Sequence, residues 1–429
     1  MDNSQNNGKL SGGKSLFGIS LIAALAGFIF GFDTVVISGA NLPIKELWHT
    51  TPLFHGFFIM SMALWGTVLG SVFGGIPTEK YGRKKVLFWI GILFSVSAIG
   101  SALAQDPYMF SFFRFIGGIG IGVSSVVAPT YISEISTPAS RGRLVAMYQF
   151  NIVFGILVAF LSNYFLVGVG GVNDWRWMLG VMAIPSLVYT LMVLGIPESP
   201  RWLEGRKTAD QGLPKQTLFA ARNKRIIGLA FTIAFFNQVS GINFILYYAP
   251  EILERAGLAA KDSLFNSIAI GGTNLVFTFV GLYLIDKLGR KTLLVIGSLG
   301  YIISLSMVAW AFFASTSPEF LLSFLLVFIA SHAIGQGAVI WVFISEIFPN
   351  QIRALGQSFG ASVHWVFAAL ITLITPVFLD AEDGIFKDNP WPIFAFFAGM
   401  MVLQLIWVFT KVPETSGVSL EELEKNLVH

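Results

Sequence analysis

Three carboxamide side chains lie close together in the stretch Asn237-Gln-Val-Ser-Gly-Ile-Asn243, which ends an apolar run that begins near Ile226. The run is long enough for a helix that crosses a bilayer. Because an unpartnered carboxamide is costly in hydrocarbon, Asn237, Gln238 and Asn243 must face a protein interior or a water-filled cavity. Amides both donate and accept hydrogen bonds, which suits a ligand covered in hydroxyl groups. The alternative is that they only join neighbouring helices.

Two side chains of standing and opposite charge, Asp33 and Arg114, fall deep inside other apolar runs. Burying a charge in a membrane is expensive, so each is a candidate functional residue. Asp33 can lose its charge by taking up a proton, whereas Arg114 effectively cannot. The pair could therefore carry a proton, or it could be a static ion pair that locks two helices.

Acids and arginines at predicted helix ends occur as two similar sets, which are Glu79, Arg83, Glu134 and Arg141, and Asp286, Arg290, Glu346 and Arg353. Glu79 and Asp286 each stand four residues before an arginine, Glu134 and Glu346 each stand seven before one, and Pro197-Glu-Ser is likewise echoed by Pro413-Glu-Thr. The sequence therefore contains an internal repeat, in which one six-helix unit occurs twice. We expect each set to form an ion-pair latch that shifts a two-state equilibrium, as a gate requires.

Membrane helices must position these side chains, because 55% of the 429 residues are hydrophobic and only 12% are charged. Apolar runs of spanning length predict twelve helices, at about 15–39, 52–77, 84–105, 108–133, 143–168, 175–196, 225–250, 264–286, 291–314, 320–346, 354–379 and 391–412. Gly241 and Pro250 predict a bend in the seventh. The predicted architecture is an all-α membrane protein.

The predicted domains are an N-terminal six-helix bundle (1–200), a short basic cytoplasmic linker (201–224) and a C-terminal bundle with a cytoplasmic tail (225–429). The linker is expected to hold one or two short surface helices. An even number of spans brings both termini to one side. The loops of that side hold 21 of the 27 lysines and arginines, the opposite loops hold 5, and Arg114 lies within a span. The positive-inside rule then predicts cytoplasmic termini in the cell (inner) membrane.

Several classes of protein are disfavoured by what the sequence lacks. It has no cysteine, so disulfides and thiolate metal sites are impossible, and a net charge of +3 does not indicate a nucleic-acid partner. No phosphate-binding glycine loop or metalloprotease motif occurs, so we expect neither an enzyme nor ATP-driven transport, and no cofactor or metal. An ion channel would need rings of like charge or a carbonyl filter rather than scattered neutral amides.

The motif Gln238-Val-Ser-Gly-Ile-Asn243 followed by Tyr247-Tyr248 resembles the seventh-helix signature of the sugar porter family within the major facilitator superfamily. The loop Glu79-Lys-Tyr-Gly-Arg83 resembles the superfamily's loop signature. This resemblance implies twelve helices in two six-helix pseudo-repeats, alternating access and a functional monomer in the lipid bilayer. It also implies that Tyr247 and Tyr248 form an extracellular gate.

The resemblance further implies a set of sugar-binding residues, which are Gln149, Asn237, Gln238, Asn243, Asn274, Trp341, His364 and Trp365. Trp341 would offer an apolar platform and one donor to a sugar. Asn237 and His364 depart from the commoner family pattern, and His364 could titrate. These departures leave the sugar open, hexose or pentose.

The segment Gly31-Phe-Asp33-Thr is similar to proton-coupled members of the family, in which this acid takes up the proton. Passive facilitators often carry Asn at the same place. The sequence therefore predicts secondary active transport of a monosaccharide, coupled to protons through Asp33 with Arg114 as its partner. The alternative is a passive sugar facilitator, a uniporter with the same binding site.

Overall fold

The computed structural model describes residues 15–137, 140–208, 218–349, 351–418 and 420–428. Over these ranges the chain is helical and contains no β-strand. Eleven helices are long and apolar enough to cross a membrane, and the bent pair Pro52–Met60 and Met62–Phe73 brings the number to twelve. The all-α, twelve-helix architecture predicted from the sequence is confirmed.

The first six spans follow the apolar runs to within a few residues except at the end of the first. They are Leu16–Trp48, Pro52–Phe54 with His55–Met60 and Met62–Phe73, Arg83–Leu103, Pro107–Ile135, Arg141–Leu166, and Asp174–Gly180 with Ala183–Leu194. The first span runs nine residues past its predicted end at 39. Polar residues there find buried partners from distant parts of the chain, which an apolar pattern cannot reveal.

The last six spans are Lys224–Val239 with Ile242–Arg255, Ala260–Leu288, Arg290–Phe313, Pro318–Ile334 with Gln336–Ile347, Arg353–Leu379 and Trp391–Lys411. The seventh span breaks at Ser240 and Gly241, where the bend was expected, and the tenth breaks at Gly335. At Gly241 φ is +89°, and a β-carbon would lie 2.9 Å from the Phe397 ring. Only glycine fits this turn without strain.

Glycines let helices of the first half pack backbone to backbone. A β-carbon on Gly118 of the fourth span would lie 1.9 Å from the carbonyl oxygen of Ala63 in the second span. Gly66, Gly70 and Gly122 make similar approaches between the same two helices. Small residues at helix contacts are typical of membrane proteins, in which close packing replaces the hydrophobic effect as the driving force.

Two compact units divide the chain. One comprises Met1–Ala40 and Met62–Pro214, and the other comprises Asn41–Ser61 and Lys215–His429. The adjoining ends of the first and second spans thus belong to the second unit, although the sequence assigns them to the first bundle. The division into domains at residues 200 and 225 stays a prediction.

Short helices occupy the segments around the predicted linker and tail. Pro200–Thr208 and the 3₁₀ turn Ala221–Asn223 flank residues 209–217, which lie outside the described ranges. Near the C-terminus, the helix Leu420–Val428 buries Leu423 and Leu427 in the apolar core of the second unit. Its Asn426 carbonyl accepts a hydrogen bond from Arg225, 3.0 Å away.

Candidate functional site

The broken seventh span brings its three amides into one hydrogen-bonded cluster. Gln238 donates through Nε2 to Asn237 Oδ1 at 2.9 Å and accepts at Oε1 from Asn243 Nδ2 at 2.8 Å. All three side chains are buried. Ser240 at the break donates its hydroxyl to the Asn237 carbonyl, 2.6 Å away. The break therefore folds two half-helices so that their amides face each other.

Aromatic rings from the tenth and eleventh spans adjoin the amides. Nε2 of Gln238 lies 3.1 and 3.2 Å from the two ring nitrogens of His364. The His364 ring is 5.0 Å from the Trp341 ring and 4.7 Å from the Trp365 ring, centroid to centroid. Trp341 is 37% exposed, whereas His364 and Trp365 are buried. An accessible indole beside buried amides offers both an apolar face and hydrogen-bond partners.

The structure thus brings together six of the eight predicted sugar-binding residues in the second unit. Asn274 is buried on the eighth span but makes no hydrogen bond to the cluster. Gln149 is half-buried on the fifth span, in the first unit. Of the two predicted gate tyrosines, both buried, Tyr248 donates its hydroxyl to the Thr372 carbonyl at 2.8 Å. The roles of these residues stay predictions.

Asp33 and Arg114 form a buried ion pair within the first unit. Arg114 donates from Nη1 to Asp33 Oδ1 and from Nη2 to the Asp33 carbonyl at 3.1 Å. Asp33 is 0% exposed and Arg114 is 1% exposed. Oδ2 of Asp33 makes no hydrogen bond to any described residue. The carboxylate thus keeps one free oxygen, at which a proton could bind without displacing the arginine.

The two sets of acids and arginines form matching clusters, one in each unit. Arg83 binds Glu134 through Nε and Nη2 at 2.9 and 2.8 Å, and Glu79 through Nη2 at 2.7 Å. We call this group the Arg83 cluster. Glu79 is 70% exposed, so its bond contributes little, whereas the bond to Glu134 is shielded.

The Arg290 cluster repeats the arrangement in the second unit. Arg290 binds Glu346 through Nη2 at 2.7 Å and through Nε at 3.1 Å, and Asp286 through Nη1 at 3.2 Å. Asp286 is 82% exposed. In both units, therefore, the arginine has one shielded acid and one solvated acid.

Two further glutamates complete these clusters and were not among the predicted site residues. Glu198 accepts from the backbone N–H of Arg83 at 2.9 Å, and Glu414 does so from Arg290 at 2.9 Å. Each glutamate thereby caps the start of a helix, where N–H groups lack partners within the helix. The signal was the echo between Pro197-Glu-Ser and Pro413-Glu-Thr, which gave a repeat without showing what the acid bonds.

Arg141 and Arg353 do not join the clusters, contrary to the expected latch. Among the described residues, neither arginine has a carboxylate within 4.0 Å. Arg353 donates from Nε to the Phe348 carbonyl at 3.2 Å instead. Arg83 and Arg290 already occupy the acids beside them. A part for Arg141 and Arg353 in gating stays a prediction.

Comparisons with known proteins agree with this architecture. The family model described as "Sugar (and other) transporter" matches residues 19–215 and 207–427. The chain is 34% identical to the arabinose-proton symporter of Bacillus subtilis (strain 168), covering 95% of this chain and 94% of the relative. It is 32% identical to the glucose transporter GlcP of Staphylococcus epidermidis, covering 95% and 96%.

Among solved structures, the inward open conformation of the xylose transporter XylE from E. coli matches with a TM-score of 0.83 and 30% identity. That match covers 96% of this chain and all of the other. The chain therefore belongs to the sugar transporter family, with the major facilitator fold of two six-helix pseudo-repeats, and is a multi-pass membrane transporter and not an enzyme.

Proposed function

We propose that this protein carries a monosaccharide, a hexose or a pentose, across the cell membrane by alternating access as a monomer. The observation that carries the proposal is the buried amide cluster beside the partly exposed Trp341. Gln238 and Asn243 would exchange hydrogen bonds with sugar hydroxyls, while the indole covers an apolar C–H face. Gln149 and Asn274 would contribute from the fifth and eighth spans.

We further propose that sugar movement is coupled to proton symport through Asp33. Its free Oδ2 is an acceptor, and Arg114 holds the carboxylate while it is charged. Once protonated, Asp33 no longer attracts Arg114 as an ion, so a change of state no longer has to move a charged acid. The name of the arabinose-proton relative supports this reading.

In the proposed orientation both termini and the two arginine clusters face the cytoplasm, because those loops hold most of the lysines and arginines. The Arg83 and Arg290 clusters would then bias the cytoplasmic gate, and Tyr247 and Tyr248 would belong to the opposite, outer gate. The membrane potential contributes about 2.3 kcal/mol per charge per 100 mV, enough for more than tenfold accumulation if one proton accompanies each sugar.

The deciding experiment measures sugar-induced alkalinisation outside vesicles that contain wild type or Asp33→Asn. We expect wild type to take up protons with sugar, and Asp33→Asn to lose both proton movement and uphill uptake while still exchanging sugar for sugar. Asp262→Asn, which removes an exposed acid on the eighth span, is the matched control and should behave as wild type. Counterflow with a panel of labelled sugars identifies the substrate.

The alternative function is a passive facilitator with the same binding site. In that case wild type would equilibrate sugar across the membrane without ever accumulating it, at any pH. Absence of sugar-induced alkalinisation in wild type, together with normal counterflow, would replace the symporter by this uniporter.

A further inference from the structure

Polar side chains at the adjoining ends of the first and second spans form a buried network within the second unit. Asn41 and Lys45 lie near the end of the first span, Thr50 lies in the connecting loop, and His55 begins the π-helical turn of the second span. Their partners are Glu251 on the seventh span and Asp380 after the eleventh. These partners stand more than 200 positions away in sequence.

The centre of this network is a continuous chain of hydrogen bonds. Glu251 Oε2 accepts from Asn41 Nδ2 at 2.6 Å, and Asn41 Oδ1 lies 2.7 Å from Nε2 of His55. A carbonyl oxygen can only accept, so the hydrogen sits on Nε2 of His55. In the neutral ring Nδ1 then accepts from the Thr50 hydroxyl, 2.8 Å away. Each of these side chains is buried.

A second contact lies beside this chain. Lys45 forms an ion pair with Asp380, which also accepts from the backbone N–H groups of Glu382 and Asp383, each at 2.9 Å. Burial by itself would raise the pKa of the Asp380 carboxyl, but these donors outweigh it and hold the pKa below its usual value. Asp380 is therefore a charged carboxylate at neutral pH, and in that form it holds Lys45.

The backbones also meet closely beside the network. A β-carbon on Gly56 would lie 1.9 Å from the carbonyl oxygen of Leu373 on the eleventh span. Gly56 lies in the π-helical turn His55–Met60, and π turns often occur at functional sites. The second span therefore packs directly against the eleventh at Gly56.

We propose that Asn41, His55 and Glu251, supported by Lys45 and Asp380, form an outer latch that must open each time the carrier opens outward. The proposal rests on the proposed alternating access. The first and second spans are each divided between the two units, at Ala40/Asn41 and at Ser61/Met62. Both boundaries lie in the helices that carry the network, so a movement of the first unit's part of either helix is transmitted directly to Asn41 and His55.

The test introduces a single reporter cysteine into this cysteine-free chain. Ser38 is buried on the first span, three residues before Asn41, and therefore lies on the same helix face one turn inward. In Ser38→Cys vesicles, labelling by a membrane-impermeant maleimide from outside reports opening of the outer side. We expect Asn41→Asp to increase the labelling rate by about fivefold or more, because it sets two acids against each other.

The most decisive variant exchanges the amide of Asn41 and the carboxylate of Glu251. Adding Glu251→Gln to Asn41→Asp restores an amide donor facing an acid, and the new acid still accepts from His55. The labelling rate should return to near that of the reporter alone. Glu254→Gln, a half-buried acid on the same helix that lies outside the hydrogen-bond chain, should leave the rate unchanged.

A cysteine at Ser186, buried on the sixth span of the first unit, separates latch opening from loss of packing. The proposal is overturned if Asn41→Asp leaves labelling at Ser38→Cys unchanged, if the exchanged pair does not restore it, or if Ser186→Cys becomes equally accessible. Labelling needs no sugar or proton movement. A carrier that fails the alkalinisation and counterflow assays can therefore still pass this test, and the reverse also holds.

Discussion

The two units bury different kinds of polar group at their candidate sites. The first unit buries an ion pair, Asp33–Arg114, whereas the second buries neutral amides around Gln238. An ion pair responds to a proton, because one partner can lose its charge. A neutral amide binds hydroxyl groups in the same way whatever the pH. The difference fits a carrier in which proton and sugar are handled by separate chemistry.

The two sites also differ in the free energy lost when a partner is removed. A charge that loses its partner inside a membrane protein keeps its full desolvation cost, whereas an amide that loses a partner costs about one hydrogen bond. The first unit should therefore tolerate disruption of its site less well than the second. The following predictions test that ranking, from the largest expected effect downward.

Replacing Arg114 by Ala should have the largest effect on folding. It leaves the Asp33 carboxylate buried without its partner, so we expect a loss of about 3–5 kcal/mol in the free energy of unfolding. Combining Arg114→Ala with Asp33→Asn should recover a large part of this loss. Reversible unfolding in mixed micelles measures both. If Arg114→Ala proves as stable as Gln238→Ala, the contrast between the units fails.

Replacing Gln238 by Ala should weaken sugar binding by about 1–3 kcal/mol, because sugar hydroxyls lose a buried partner. Equilibrium binding of the transported sugar measures the change. Gln404→Ala is the matched control, since Gln404 is a buried amide bonded to Gln336 and Ser298 instead. The control should lower stability and leave sugar affinity unaltered. An unchanged affinity in folded Gln238→Ala would reject the sugar-binding role.

The arginine clusters should behave alike in the two units, since their bonds match. Arg83→Ala or Arg290→Ala should slow transport while sugar affinity stays within about tenfold, because only the populations of states change. Transport rates and equilibrium binding are measured on the same preparations, with the exposed Lys85→Ala as control. A large affinity loss with normal transport would contradict a gating role.

The smallest effect is expected at Asp380, where the second unit holds a charged pair at a helix end. Because the folded pKa of Asp380 is lowered, its carboxylate stabilises the fold at any pH above the pKa of the unfolded chain, which is about 4. This contribution is lost as the pH falls through the folded pKa. At pH 7, Asp380→Asn should cost about 1 kcal/mol. Melting temperatures should converge below pH 4, while the exposed Asp388→Asn should match wild type throughout.

The sequence predicts the fold well because each span must hide its backbone polar groups in a helix and present apolar side chains to lipid. The bend at Gly241 was predictable for a local reason, since glycine and proline act on their own helix. The paired glycines Gly335 and Gly337 likewise indicate a bend in the tenth span, which breaks at Gly335. The break at Val181–Met182 was not predicted, because no comparably strong local signal precedes it.

Prediction mostly failed for hydrogen bonds between residues that are far apart in the sequence. Glu251 follows Pro250, where the apolar run was taken to end, so neither its burial nor its bond to Asn41 was foreseen. The link between Gln238 and His364 was likewise invisible, although both residues were assigned to the site by resemblance. Asp33 and Arg114 were paired correctly because two isolated, opposite charges in hydrocarbon have few other choices.

The turns that start the third and ninth spans constrain how this sequence can vary. Gly82 and Gly289 have φ values of +95° and +82°, and a β-carbon on either would lie 2.4 or 2.6 Å from a carboxylate oxygen of Glu198 or Glu414. A shorter acid at the distant position would give room but lose the helix cap, and the backbone strain would remain. Over generations each glycine and its glutamate should therefore persist together or be lost together, and neither half of the duplicated unit can relax this pairing for the other.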